Sequence, residues 1–416
     1  MLLKKGLFYS LMFFYLYTLA FGIFMTDTLR IPAPVIFCML LFFVQKPILD
    51  FAYYNELIVF VIGVFLYQVV GMSNYITFFA ILLTIIPCSL YFNYFVGANK
   101  VRYYTSILVF FFLLAGSMVI MILDHTMADV IDPLRSMLLG ETVKQSPAGL
   151  AVTQFNFGYQ VVAITTFAFI ASCTTRQYII IRVLILAACI ICIYLGMNRS
   201  AFISFGAGVI LFLFIYYRYK AVFLVAATVI ICFGLYTYVL KDNMDEKNNI
   251  LSKNEAKQAN DYNRANMAAE NLKIYADYPF GLIFYGKTWD EATYRNPLFT
   301  FGLSSHNAYL MFVTLLGPFL GLGLLWAIYY KTVRLFWQTI KKIRQKENAI
   351  YVAIFFTFIA ISLNALSHNG WLMSVDGPTI FIYFAVLHHN KLTDPIKKTE
   401  PEQEETESEQ EELAVA

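Results

Sequence analysis

Charge is what this sequence has least of. Asp, Glu, Lys and Arg together make up 14% of 416 residues, and they gather in short connecting segments and one tail. The long runs between them have no polar face to turn to water, which excludes a soluble globular domain. A Gly-rich Walker loop, an HExxH pair and an Asp-x-Asp triplet are all missing, so the signatures of nucleotide hydrolysis, zinc hydrolysis and metal-held nucleotide sugars are absent together. Six cysteines are present, Cys38, Cys88, Cys173, Cys189, Cys192 and Cys232, and every one lies inside an apolar run. Cys189 and Cys192 form a CxxC with no second pair and no nearby His, which reads as small buried hydrophobes rather than a zinc or redox site. No internal repeat stands out, which counts against an inverted-repeat transporter. Nothing implies a cofactor or a metal, and a net charge of +3 confined to loops gives no reason to expect nucleic acid.

What is there is apolar: 59% hydrophobic residues, 18% aromatic residues and a mean hydropathy of +0.64. The expected class is all-α, a polytopic transmembrane bundle of about twelve helices, since each span takes about 20 residues. After a first helix opening at Lys4 and Lys5, read as retained rather than cleaved, further runs fall at approximately 33–47, 56–72, 74–95, 103–123, 157–174, 178–197, 200–217, 221–240, 306–330, 350–367 and 377–389. Alternating them from an inside start places Lys46, Lys100, Arg102, Arg176, Arg218, Lys220 and the cations from Lys331 to Lys346 on the cytoplasmic side. Arg30, Arg135, Lys144 and Arg199 are left on the outer side, where the short loops carry few cations. That asymmetry obeys the positive-inside rule and puts both termini in the cytoplasm. The bundle is expected over 1–390. Residues 391–416, ending EPEQEETESEQEELAVA, are expected to be a disordered acidic cytoplasmic tail.

Two outer segments are long. The first, about 124–156, carries a short amphipathic piece at Val130–Leu139 expected to lie at the membrane interface. The second, about 241–305, is the largest polar region. Its middle has helix-forming composition and is stopped by Pro279 and Gly281. On that helix Asn260, Arg264, Ala268, Asn271 and Tyr275 recur at spacings of three or four and share a face.

Three places could carry chemistry. Arg199, in GMNRSAF, sits in a turn so short that its guanidinium is either an anchor snorkelling to headgroups or an anion contact with a planar fork of donors. Arg264 is either a solvated face of a loop helix or a second anion contact on the same side. His306, with Asn307, opens an apolar run after a polar loop, where an imidazole is either a helix-end residue or a proton acceptor at neutral pH. His368 and Asn369 lie in the last outer loop and are a weaker version of the same motif. His125 also lies outside, whereas His388 and His389 lie at the inner end and read as structural.

These residues resemble the bacterial O-antigen polymerase and O-antigen ligase superfamily. The matching features are Asn198-Arg199-Ser200-Ala201 opening a helix after a short outer turn, Arg264 about fifteen residues before Pro279-Phe280-Gly281, and His306-Asn307 starting a helix that reaches Gly317. The stretch Gly149–Tyr159, GLAVTQFNFGY, is similar too, with Asn156 in place of a family Asn. The similarity covers approximately 149–321. One departure is Leu320, where the family often has a small or hydroxyl residue; Pro318 stands beside it, so a kink is expected there.

The resemblance implies a multi-pass enzyme of the bacterial inner membrane with a large, partly helical periplasmic loop and an active site facing the periplasm. It implies a metal-independent inverting glycosyltransferase whose donor is a glycan on undecaprenyl diphosphate. Arg199 and Arg264 would hold the diphosphate and His306 would position or deprotonate the acceptor hydroxyl. Asn307, Asn156, Asn271, Tyr275 and His368 are expected as substrate contacts. The expected partners are the lipid-linked glycan, an acceptor glycan, the bilayer and other polysaccharide-assembly proteins. Polymerase is favoured; a ligase that transfers glycan to the lipid A core in lipopolysaccharide synthesis is the alternative. The rival from another class is a flippase of the same lipid-linked glycan, which would place ionisable residues near the midplane of its spans; here they lie near the ends.

Overall fold

The computed structural model describes residues 2–23, 33–42, 51–235, 237, 264–372 and 376–393. Asn260 and the acidic tail from 394 onward lie outside the described residues. All regular structure among the described residues is helical. In chain order the helices are α1 (Leu2–Phe21), α2 (Ala33–Leu41), α3 (Tyr54–Val64), α4 (Tyr75–Leu90), α5 (Lys100–Leu139), α6 (Gln154–Thr174), α7 (Ile179–Leu195), α8 (Arg199–Tyr217), α9 (Lys220–Leu235), α10 (Arg264–Asp277), α11 (Trp289–Thr293), α12 (Ala308–Lys341), α13 (Ala349–Asn364) and α14 (Gly377–Thr393). Helices α3 and α4 continue as wider π-type turns, Phe65–Gly71 and Tyr91–Val96.

Among the described residues, seven of these elements are long and apolar enough to cross a membrane. Helix is the form expected there, because hydrocarbon offers no partner to a backbone N–H or C=O and only intrasegment bonding satisfies them. The ends are closed by polar side chains: the amide oxygens of Asn74, Asn99, Asn198 and Asn307 accept from the N–H of Thr77, Arg102, Ala201 and Leu310 at 3.0, 3.1, 3.2 and 3.0 Å. At the centre stand α6, α13 and α14. Val352, Ala353, Ile354, Phe356, Phe381, Ile382 and Ala385 are wholly inaccessible, as are Val161, Val162 and Ala163 of α6. Helices α7, α8 and α9 form an outer layer with exposed Ile179, Ile180, Leu184, Ile203, Phe223 and Ile230, an apolar surface that suits lipid.

The segment from 124 to 153 is partly helical and has a polar hub. The Val130–Leu139 piece is the far part of α5, which runs on to Leu139 and breaks only at Met127, where φ is −137° and ψ is 43°. Its apolar residues Val130, Leu134 and Met137 are exposed, while Ile131, Arg135 and Leu139 are buried. Arg135, expected as an outer-loop cation, is instead fully enclosed. Its guanidinium donates to Asp124 Oδ2 at 2.8 Å and Asp132 Oδ1 at 2.7 Å, and to the carbonyls of Gly149, Gln145 and Ala151 at 2.6, 3.1 and 3.0 Å. A planar cation with five donors can serve as the hub of a loop when carbonyls face it from several sides. Here it fixes residues 145–151 and so the approach to α6. Near the end of α14, His388 lies between the Tyr53 hydroxyl and the Gly97 carbonyl, and His389 stacks on Tyr351 at 3.7 Å, in keeping with structural roles. His125 meets the Leu195 carbonyl at 3.0 Å.

Candidate active site

The polar end of the bundle is built from four helix starts and two returning loops. The turn between α7 and α8 puts Met197 at φ 51°, after which Asn198 caps α8 and its Nδ2 donates to the Gln154 carbonyl at 3.2 Å. Arg199 therefore leaves from the first turn of α8 beside the first turn of α6. The starts of α6, α8, α12 and α14 all lie at this end, so their unsatisfied N–H groups add positive potential to the arginine's own.

Arg264 reaches the same place from α10, which carries no membrane-length apolar run and lies across the end of the bundle. Two devices seat it. Asn271, wholly buried, donates from Nδ2 to Ser305 Oγ at 2.8 Å and lies 3.1 Å from Met311 Sδ, while its Oδ1 accepts from Thr314 Oγ1 at 2.6 Å. The second device follows the helix. The Pro279-Phe280-Gly281 turn lies on the break in α12 at Gly317, where φ is 78° and ψ is 172°. A Cβ on Gly281 would stand 2.2 Å from the Gly317 nitrogen, and one on Gly317 would stand 1.8 Å from the Phe280 carbonyl oxygen. Only paired glycines permit that approach. The kink anticipated at Gly317 and Pro318 is thus the seat of the loop that carries Arg264. The remaining loop has its own small core, with Trp289 fully buried against Phe299 and its indole N–H donating to the Leu303 carbonyl at 3.0 Å.

Arg264 is drawn well out of water, and its pKa falls to about 10, first through burial and then through the positive charge of Arg199 nearby. It stays charged at neutral pH. Two guanidiniums, from residues sixty-odd positions apart in sequence, are therefore held within electrostatic reach in a partly desolvated pocket, an arrangement that an anion relieves. The Tyr159 hydroxyl lies close enough to Arg264 to act on it and accepts from the N–H of Gly370 and Trp371 at 3.0 and 3.3 Å.

His306 stands at the mouth. Its φ is 55°, uncommon for a residue with a Cβ, and it precedes the Asn307 cap of α12. The Ala308 N–H donates to the Ala365 carbonyl at 2.9 Å, tying that start to the end of α13. The His306 ring stacks on Phe155 with centroids 5.5 Å apart and planes at 7°, and His368 meets the same Phe155 edge-on at 5.5 Å. His368 is buried and also lies against Tyr159 at 6.1 Å. Ser304 accepts from the Asn369 amide, which binds the two His-Asn segments together.

Of the residues expected as substrate contacts, Asn156 is exposed on the first turn of α6 and Tyr275 is half-buried on α10. The Asn307 side-chain oxygen is used as a helix cap and the Asn271 amide as a clamp, so both position the site from behind. Sequence reasoning did not single out Phe155, Tyr159 or Asp376. Asp376 caps α14, accepting from the Thr379 N–H at 3.2 Å, and burial raises its carboxyl to about 7; it acts electrostatically on Tyr159. A lone acid three residues after a Trp-Leu-Met run gives no periodicity or spacing that marks it. Among the described residues, no group of three or more His, Cys, Asp or Glu side chains is placed to hold a metal ion.

A family comparison bears on this geometry. Residues 183–325 match the O-antigen ligase family model. The match covers roughly a third of the chain, from α7 through most of α12, and takes in Arg199, Arg264, His306 and Gly317. It supports the resemblance to the O-antigen ligase and polymerase superfamily, and with it membrane glycosyltransferase activity of that type. No curated protein matches the chain. The matched segment contributes Arg199, Arg264 and His306 to this end of the bundle, and α6, the His368 loop and Asp376 lie outside it.

Proposed function

We propose that this protein transfers a glycan from undecaprenyl diphosphate to an acceptor sugar hydroxyl at the periplasmic face of the bacterial inner membrane. The observation that carries the reading is the convergence of Arg199, Arg264 and His306 at one end of the bundle, beside four helix starts. Such a pocket suits a leaving group whose negative charge grows as its bond breaks. The acceptor oxygen attacks the anomeric carbon from the face opposite the diphosphate, the carbon–oxygen bond to phosphorus-bound oxygen breaks, and configuration inverts. The electron pair stays on the diphosphate, where Arg199 and Arg264 stabilise it. The acceptor proton passes to the His306 imidazole, which Phe155 keeps flat against the mouth. No metal enters this scheme, since both charges to be met are met by side chains.

A lipid-side feature supports the same donor. A cavity of about 470 Å³ runs between α12 and α13, lined by Tyr309, Tyr329, Phe336, Phe355, Phe358 and Leu366 among others. It begins two residues beyond Asn307, and at its head the Tyr309 and Tyr329 hydroxyls lie 2.6 Å apart, with Tyr309 donating to the Ser362 carbonyl at 2.9 Å. That is a suitable bed for the first isoprene units.

The acceptor we favour is a second lipid-linked repeat, which makes the protein a polymerase. The family matched over residues 183–325 is that of O-antigen ligase, and transfer to the lipid A core is the second reading. Deletion separates them: lipid A core capped by single repeats indicates polymerase, and uncapped core with free lipid-linked polymer indicates ligase. With purified protein and lipid-linked oligosaccharide, Arg199→Ala and Arg264→Ala are each expected to lose about 100- to 1000-fold in rate. His306→Ala is expected to lose about 100- to 10,000-fold. Full activity in all three at normal protein levels would refute the site, and transport without transfer would make the protein a flippase.

A further inference from the structure

The opposite end of the bundle holds a second constellation that glycan transfer does not use. Three turns meet there, the α6–α7, α8–α9 and α12–α13 connections. They enclose a cavity of about 340 Å³ lined by Arg176, Arg218, Lys220 and Arg344 together with tyrosines from the end of α8 and the turn after it. No carboxylate is among the lining residues. Bringing four cations around one hollow is unfavourable unless something anionic shares it.

Two of the four are held in place. Arg344 donates from Nε and Nη2 to the Tyr216 carbonyl at 3.2 and 2.9 Å, and Arg176 donates from Nη2 to the Arg344 carbonyl at 3.3 Å. Arg182 braces the wall by donating to the Tyr217 hydroxyl at 3.1 Å. Arg176 and Arg218 both have positive φ, 58° and 57°, so each lies at the tip of a tight turn. Beside the cavity, Tyr178, Ile179, Tyr219 and Phe223 present exposed rings and apolar side chains that continue onto the outer faces of α7 and α9. A polar hollow whose rim runs straight into apolar helix faces has the two halves that a phospholipid has.

We propose that this cavity binds the phosphate headgroup of an anionic phospholipid, with the acyl chains lying along α7 and α9. The arginines supply paired donors to the phosphate oxygens, and Lys220 and Arg218 add charge at the rim. The ligand is a lipid rather than free phosphate because the rim opens toward the apolar flank. It is distinct from the acidic stretch 394–416, whose many glutamates offer charge but no chains for the flank.

Native mass spectrometry of the full chain tests this by titration with phosphatidylglycerol against phosphatidylcholine. The double variant Arg218→Gln/Lys220→Gln removes exposed cations that brace nothing, and its folding is checked by an unchanged thermal midpoint in neutral detergent. At roughly fivefold per surface cation, phosphatidylglycerol retention is expected to weaken about thirtyfold, with phosphatidylcholine retention unchanged. Equal retention by variant and wild type would overturn the proposal. So would displacement of the lipid by inorganic phosphate at equal concentration, which would make the hollow a free-anion site. Retention that appears only once the 394–416 glutamates are changed to Gln would assign the hollow to the tail and overturn it as well.

Discussion

Asn271 is the residue whose replacement most sharply separates a supporting part from a substrate contact. Replacing it by Leu keeps its volume close and removes the amide. The change forfeits the bond to Ser305 Oγ at 2.8 Å and the one from Thr314 Oγ1 at 2.6 Å, each worth about 1 kcal/mol net. Thr314 recovers by turning back to a carbonyl of its own helix, whereas Ser305, buried at 2% exposure, keeps a hydroxyl without that partner at a cost of about 1–3 kcal/mol. The sum is about 3–5 kcal/mol. Its effect is local, because Met267 and Ile274 still hold α10 to the bundle by apolar contact. At 1.4 kcal/mol per tenfold, 3 kcal/mol opens α10 at least about a hundredfold more often. Hydrogen exchange followed by mass spectrometry should therefore show peptides covering 264–278 losing about that much protection, with α6 and α13 unaffected, and transfer falling as Arg264 leaves its seat. Unchanged protection together with lost transfer would refute the clamp and make Asn271 a contact of the substrate.

Gly281→Ala should detach the same loop without touching any charged group, because its Cβ has no space against the Gly317 backbone and φ is 97°. An exchange pattern like that of Asn271→Leu is expected, with a cost of about 2–3 kcal/mol. Arg135→Leu strands Asp124 in a buried position and should cost about 3–5 kcal/mol, seen as a lowered thermal midpoint or loss of protein from membranes; adding Asp124→Leu should restore part of it. Asp376 gives a pH signature. Its folded value of about 7 lies above the roughly 3.9 of an unfolded chain, so the unfolded state releases its proton first and stability falls as pH rises between those values. Asp376→Asn should flatten that fall, as read by thermal midpoints at pH 5 and pH 8.

The long apolar runs determined the class by themselves. Water cannot be the solvent of a chain with so little charge, and hydrocarbon permits helices, so the spans near 56–72, 74–95, 157–174 and 200–217 match α3 and α4 with their π-type extensions, α6 and α8 within a few residues. Asn198, Asn307 and Pro279 likewise marked helix ends, because caps and breakers act through neighbours in the chain. The periodicity of Val130–Leu139 was legible, but that its inner face is held by Arg135 was not, because the partners of that guanidinium come from a loop beyond the helix. The chemistry was legible as types, two arginines and a His-Asn, the kinds of residue that suit an anion and a proton. That Arg264 lies within electrostatic reach of Arg199, that the Asn271 amide and the Asn307 oxygen are engaged by the protein's own groups, and that Phe155, Tyr159 and Asp376 lie near them were decided only by packing. Those contacts join segments separated by tens to hundreds of residues, and no local preference of the chain encodes a contact between side chains that meet only when the bundle closes.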